Sequence, residues 1–175
     1  MSKWWPFRKS EQTPQNTYRE EEQAFHKHET ELRQYMAQQI EAGVSRQALL
    51  KKMEAQAIEL EQVQNTADDK GRLRAYDLVY GELRDALMRN LQSGRVLEMN
   101  GRIAEAIDYY ETAVADQMST RFPYEHLRII YRRQEQYADA LRICETAVAN
   151  PFLEDKDHQH FQSWVDKFKQ HLQTS

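Results

Sequence analysis

The sequence is short of the residues that interrupt helices and of those that cross-link chains. Its 175 residues include five glycines, four prolines and a single cysteine, Cys144. One cysteine cannot form a disulfide within the chain, which excludes a disulfide framework and is typical of a reducing compartment. Scarce glycine and proline leave long stretches without a breaker, and none of these stretches shows the sustained apolar–polar alternation of a strand. The sequence therefore predicts an all-α protein.

Long apolar runs and catalytic motifs are missing as well. No apolar run approaches the roughly 20 residues needed to cross a bilayer, and the amino terminus, MSKWWPFRKS, has no continuous apolar region of the kind found in secretory signals. We therefore expect a cytoplasmic protein. No glycine-rich phosphate loop or nucleophile motif is present, and the histidines lack the spacing of metal ligands. These absences predict a protein that is not an enzyme, with no cofactor and no metal.

Breakers and apolar spacing divide the chain into three parts. Residues 1–18, with two prolines and a polar stretch, are predicted to form a flexible amino-terminal segment. Residues 19–66 are predicted to form a helical hairpin, with helices over 18–41 and 46–64 joined by a turn at Gly43 and with Ser45 as a helix cap. Residues 67–175 are predicted to hold five more helices, over about 68–100, 102–117, 123–133, 137–149 and 155–172.

The predicted hairpin carries a narrow apolar stripe on each of its charged helices. The stripe residues are Phe25, Leu32, Met36 and Ile40, then Leu50, Met53, Ala57 and Leu60. Stripes of this width are typical of coiled-coil surfaces, so the hairpin could mediate self-association into a homo-oligomer. The alternative is that both stripes pack against the third helix of the same chain.

One segment of the chain repeats itself. Residues 101–116, GRIAEAIDYYETAVAD, reappear 34 positions later as residues 135–150, EQYADALRICETAVAN, with seven identities. A period of about 34 residues is the length of one tetratricopeptide helix–turn–helix unit. Unrelated segments of ordinary composition would share roughly one or two residues over this length.

Residues 87–152 resemble two degenerate repeats of the tetratricopeptide family. The small and large residues expected on the second helix of a unit are Ala106, Tyr110 and Ala113, then Ala140, Cys144 and Ala147. The first helices match less well, because Arg128 stands where the family has a small residue. The resemblance implies an α–α superhelix, with the predicted third helix and the carboxy-terminal helix capping its two ends.

The resemblance also implies where a partner would bind. Members of the family generally bind peptides or protein segments on a concave face formed by the first helix of each unit. The residues implied for this face are Met88, Leu91, Arg95, Glu98 and Met99, then Phe122, Glu125, Ile129, Arg132 and Arg133. Their mixture of apolar and basic groups suits an amphipathic or acidic segment. Glu125 and Ile129 depart from the family's clamp for a carboxy-terminal carboxylate. The implied function is a non-catalytic scaffold that binds a protein or peptide.

Two other functions stay open. The region from Arg121 to Arg133 is rich in arginine and could contact a nucleic-acid backbone, although the net charge of −4 gives no general support for nucleic acid. Its arginines could instead pair with neighbouring acidic side chains. Residues 3–9 combine Trp4, Trp5 and Phe7 with cations, so they could anchor the protein weakly at an anionic membrane, or dock on this protein or on a partner.

Overall fold

The computed structural model describes residues 14–63 and 65–174, and within those ranges the chain forms helices and no strand. The helices are α1 (Pro14–Glu41), α2 (Arg46–Glu61), α3 (Ala67–Met99), α4 (Ile103–Ala115), α5 (Phe122–Arg133), α6 (Tyr137–Ala149) and α7 (Asp155–Thr174). The prediction of an all-α fold is therefore confirmed.

The helix ends follow local sequence signals in most places. The Ser45 hydroxyl accepts a hydrogen bond from the amide of Ala48 (3.2 Å), as predicted for the cap of α2. Thr66 and Asp69 form a reciprocal capping box at the start of α3. The prediction for residues 14–18 was wrong, because α1 begins at Pro14 and includes them. Proline is compatible with the first turn of a helix, where its missing N–H is not needed.

The first two helices both pack against the amino-terminal two-thirds of α3. Close backbone approaches occur between α1 and α3 and between α2 and α3, but few occur between α1 and α2. The shared core contains Leu32 and Met36 of α1, Leu49, Leu50 and Met53 of α2, and Val79, Leu83 and Leu87 of α3. Four of the eight predicted stripe residues, Leu32, Met36, Leu50 and Met53, thus lie in a core shared with α3. Self-association through the remaining surface of α1 and α2 stays a prediction.

A second apolar core lies between the end of α3 and the remaining four helices. It contains Ala106 and Tyr110 of α4 and their counterparts in the second repeated segment, Ala140 and Cys144 of α6, all with no measurable exposure. Helix α7 packs on α6, as α5 packs on α4. Because the two cores meet within α3, this helix joins the amino-terminal helices to the repeated segment.

The turns inside the two repeated segments have the same backbone geometry. Gly101 and Glu135, which occupy equivalent positions in the two segments, both adopt left-handed conformations, with φ of 73° and 60°. In each turn the amide of this residue donates to the carbonyl three positions earlier (3.0 and 3.2 Å), and the next amide donates to the carbonyl five positions earlier than itself (2.9 Å in both). The sequence repeat is thus also a repeat of local structure.

The loop between α4 and α5 is held on two sides. Arg46 at the start of α2 donates to both carboxylate oxygens of Asp116 (2.9 and 3.0 Å), which is buried. From the other side the Asn150 amide, 2% exposed, donates to the carbonyls of Gln117 (3.2 Å) and Met118 (3.1 Å). These contacts fix the position of α5, which carries most of the candidate site.

Candidate functional site

Side chains from three helices meet on one surface of the repeated region. We call this surface the first-helix face and define it as the exposed and half-buried side chains of residues 88–99 of α3, of α5, and of the side of α7 that contacts α5. Two clusters of side chains connect the three helices. Helices α1 and α2 lie elsewhere, because their contacts go to the earlier part of α3 and to the loop between α4 and α5.

The first cluster joins α3 to α4 and α5. The carboxylate oxygen Oε2 of Glu98 lies 2.6 Å from Nδ1 of His126 and accepts a hydrogen bond from the Tyr110 hydroxyl at 2.8 Å. The His126 ring stacks on Phe122, with ring centroids 4.0 Å apart. Burial raises the pKa of Tyr110, and the hydrogen bond to Glu98 raises it further. Glu98 therefore connects α3 to α4 and α5 through its contacts with Tyr110 and His126.

The second cluster joins α5 to α7. Glu125 accepts hydrogen bonds from the Arg128 guanidinium, one of them from Nε at 3.1 Å, and its Oε2 lies 3.0 Å from Nε2 of His160. Burial alone would raise the pKa of Glu125, but the hydrogen bonds with Arg128 and His160 outweigh it and hold the pKa below its ordinary value. The carboxylate is therefore ionised and paired at neutral pH.

Three cations surround the indole ring of Trp164. The guanidinium carbon of Arg128 lies 3.9 Å from the ring centroid, the Lys167 ammonium 4.4 Å and the Arg132 guanidinium 5.6 Å. Arg128 is only 4% exposed, and its Nη1 makes no hydrogen bond. Arg132 and Lys167 are exposed and form no ion pair within the part of the chain that the structure describes. The half-buried indole thus lies under two cations that are free to meet a partner.

The other predicted residues divide between packing and surface. Leu91 packs against the carboxy-terminal core and Ile129 is half-buried. Arg95, Arg133 and the side chains of Met88 (40%) and Met99 (77%) are exposed. Of the ten residues implied from sequence for the concave face, Glu98 and Glu125 are engaged in polar contacts within the chain.

Sequence reasoning missed the part of the site that α7 supplies. Trp164, Lys167 and His160 were not proposed, although a signal for them was present. Positions of α7 correspond to positions of α5 when the 34-residue repeat period is added. His160 is then equivalent to His126, and the buried Phe161 is equivalent to the buried Leu127. The α7 residues otherwise differ from those of α5, so identity alone could not reveal the register.

This geometry gives little support to the two alternative functions, nucleic-acid binding and membrane contact. In the basic region, Arg128 is buried and Arg121 lies 3.8 Å from the carboxylate of Asp157. Arg132 and Arg133 are exposed and form no ion pair with any residue in 14–63 or 65–174. Residues 3–9, the proposed membrane contact, lie outside the described residues. Within the described ranges no helix is long and apolar enough to cross a membrane, and no group of three metal-ligating side chains occurs.

The sequence was also compared with known proteins. No protein-family model matches it, and neither the curated proteins nor the solved structures contain a match. The site is accordingly interpreted from its own residues and geometry.

Proposed function

We propose that this protein is a non-catalytic interaction module of the cytoplasm that binds a protein segment on the first-helix face. The observation that carries the proposal is the pair of exposed cations around the half-buried Trp164, Arg132 and Lys167, which form no ion pair among the described residues. Aromatic and arginine side chains contribute most of the binding energy in many protein interfaces. The chain as a whole is acidic, with a net charge of −4, so a local excess of exposed cations is consistent with a binding surface.

The tetratricopeptide-like arrangement supports the proposal. Three pairs of equivalent positions on α4 and α6 are fully buried, Ala106 with Ala140, Tyr110 with Cys144, and Ala113 with Ala147. The turn before each of these helices has the same backbone geometry. In such an arrangement the first helices of successive units lie side by side. Side-chain contacts between α3 and α5 (Glu98–His126) and between α5 and α7 (Glu125–His160) are consistent with it.

The chemistry of the face suits an acidic or amphipathic segment. Arg95, Arg132, Arg133 and Lys167 supply exposed positive charge, while Ile129 and the Trp164 ring supply apolar surface. Carboxylates of a partner would pair with the cations, and an apolar side chain would cover the indole and displace water from it. The charge of Glu125 on this face is already paired with Arg128, and the Glu98 carboxylate is half-buried and in contact with Tyr110 and His126.

A capture experiment with matched charge reversals tests the proposal. The full chain, the Arg132→Glu/Lys167→Glu variant and the Lys70→Glu/Arg72→Glu variant are immobilised in equal amounts and exposed to extract of the native cells. The two variants change the net charge equally, but Lys70 and Arg72 are exposed residues near the start of α3, far from the face. We expect the first variant alone to lose specific protein partners. Equal retention by both variants would contradict the proposal.

The same material distinguishes a nucleic-acid ligand. If the captured species is RNA or DNA, nuclease treatment removes it, and its binding falls steeply with added salt because phosphate contacts release counterions. We expect capture to survive nuclease. Loss on nuclease treatment would favour the basic region as a nucleic-acid contact instead.

A further inference from the structure

An apolar groove with an acidic rim lies between α2 and α3, away from the first-helix face. Its volume is about 410 Å³, within the range of specific binding sites. The apolar lining residues are Met53, Ala57, Ile58, Tyr76 and Tyr80, and the charged ones are Glu54, Glu61 and Asp77. No cation lines it. Ile58, at its edge, is 61% exposed, which leaves a large apolar side chain in water.

The other candidate surfaces have different charge. The cavity of about 620 Å³ between α1 and the start of α3 is lined by Lys27 and Lys70 as well as by acidic residues. The cavity of about 430 Å³ between α1, α2 and α3 is lined by Lys52 and Arg72. The first-helix face has an excess of cations. The groove between α2 and α3 therefore combines an apolar lining with acidic side chains. Lys51, outside the groove, already pairs with Glu54 at 2.7 Å, whereas Asp77 is exposed and forms no ion pair among the described residues. The groove favours an occupant that is aromatic or aliphatic and carries a positive charge for Asp77.

A segment of this chain has that chemistry. Residues 3–9, KWWPFRK, carry three aromatic side chains and three cations with no acidic residue. The segment lies outside the described residues and connects to α1, which begins at Pro14. Its charge complements the groove and would be repelled by the cations of the first-helix face.

The connecting chain is long enough for the groove to be reached. Gly71 of α3 approaches Ala24 of α1, so the groove at Tyr76 lies about 15 residues along the helix axis from Pro14, or about 23 Å at the helical rise. The groove also lies to the side of α1, by one to one and a half interhelical distances, or about 10–15 Å. The axial and sideways distances combine to a direct span of about 25–28 Å from Pro14 to the groove. The nine residues from Trp5 to Pro14 cover up to about 30 Å when extended.

We propose that residues 3–5 of the same chain dock in the groove between α2 and α3, with Trp4 and Trp5 covering Ile58 and the tyrosine rings and with Lys3 facing Asp77. The segment is thus an intramolecular strap across the amino-terminal helices. This inference is independent of the function proposed for the first-helix face.

Tryptophan fluorescence tests the strap directly, because Trp4, Trp5 and Trp164 are the only tryptophans of the chain. In a full-length Trp164→Phe protein the emission comes from Trp4 and Trp5 alone. We expect this emission to be blue-shifted and protected from acrylamide relative to a free peptide of residues 1–13. An emission maximum equal to that of the free peptide would overturn the proposal.

Matched variants locate the site of burial. Ile58→Lys/Asp77→Lys changes the groove, whereas Leu78→Lys/Asp85→Lys makes the same chemical changes at exposed positions of α3 outside it. We expect the first pair to shift the emission to that of the free peptide and the second pair to leave it unchanged. A blue shift that survives the groove variant would place the tryptophans elsewhere and overturn the proposal.

Two further arms distinguish other occupants. A blue shift that disappears on dilution would mean that a second copy supplies the segment, and a blue shift that appears only with vesicles containing anionic phosphatidylserine would mean a membrane contact. Either result overturns the strap. If Trp164→Phe does not fold, the unsubstituted chain labelled with 5-fluorotryptophan gives the same information. In that experiment the groove variant is expected to move two of the three fluorine resonances to their free-peptide positions, and two resonances that stay in place would overturn the strap.

Discussion

The three glycines of α3 provide a matched test of how closely this helix is packed along its length. A Cβ atom added at Gly81 would meet no atom within 4 Å. One added at Gly94 would lie 2.6 Å from the ring of Tyr110, and one added at Gly71 would lie 2.6 Å from the backbone oxygen of Glu21. The same substitution, glycine to alanine, should therefore have opposite effects on stability within one helix.

The magnitudes follow from two opposing contributions. Alanine in a helix interior is more favourable than glycine by about 0.5–1 kcal/mol, so Gly81→Ala should raise the free energy of unfolding by that amount. Overpacking costs about 1–3 kcal/mol. The free energy of unfolding of Gly94→Ala and of Gly71→Ala should therefore be lower than that of Gly81→Ala by this amount. The effect should be larger at Gly71, because the obstructing atoms belong to the α1 backbone and cannot rotate away.

Urea denaturation followed by far-ultraviolet circular dichroism measures these free energies, with an unchanged m-value as the check that only stability has altered. A double-mutant cycle sharpens the result at the second site. In a Tyr110→Cys background the space beside residue 94 is open, so Gly94→Ala should become stabilising. The close packing described here would be refuted if all three alanine variants gained stability equally.

Three further results are expected. Glu135→Gly should stabilise the protein by up to about 1 kcal/mol in urea denaturation, because glycine adopts the left-handed conformation of this turn without steric cost; a loss of stability would contradict this. Asn150→Ala should lower the free energy of unfolding by about 2–4 kcal/mol, because it removes the amide that donates to the carbonyls of Gln117 and Met118 and to the Tyr124 hydroxyl. A change below about 0.5 kcal/mol would show that water replaces the amide. The folded-state pKa of Glu125 lies below its ordinary 4.5, so in acid the folded protein binds fewer protons than the unfolded chain. The contribution of Glu125 to stability is therefore present above about pH 4.5 and is lost as the pH falls through the folded-state pKa. Between pH 6 and 3, Glu125→Gln should therefore flatten the dependence of unfolding free energy on pH, and an unchanged slope would contradict the pairing.

The helices could be predicted from sequence because their signals are local. Ser45 and Thr66 cap helices through hydrogen bonds to amides three positions away, and breakers mark the other ends. The start of α1 was missed because Pro14 fits a first helical turn as well as a loop. The partners of α1 and α2 could not be read from their stripes, since an apolar stripe specifies that a helix is covered but not which helix covers it.

The accommodation of Arg128 shows why the site was harder to predict than the fold. The first unit places Gly94 against the large Tyr110, whereas at the equivalent positions the second unit has Arg128 and the small Cys144, both buried. The large side chain at position 128, where a tetratricopeptide unit would have a small residue, is thus balanced by the small side chain at position 144. Arg128 is then covered by Trp164 from α7, a contact between distant positions of the sequence that no local pattern indicates.

The central claim is that the first-helix face binds a protein segment, and site-specific photo-crosslinking tests it most directly. A photoreactive amino acid is placed at Ile129, on the face, or at Thr112, an exposed residue of α4 on the opposite side of the repeated region, and the full chain is irradiated in native extract. The account predicts a discrete protein adduct from position 129 that disappears with Arg132→Glu, and no such adduct from position 112. The same adducts from both positions, or an adduct at 129 that ignores Arg132→Glu, would contradict it.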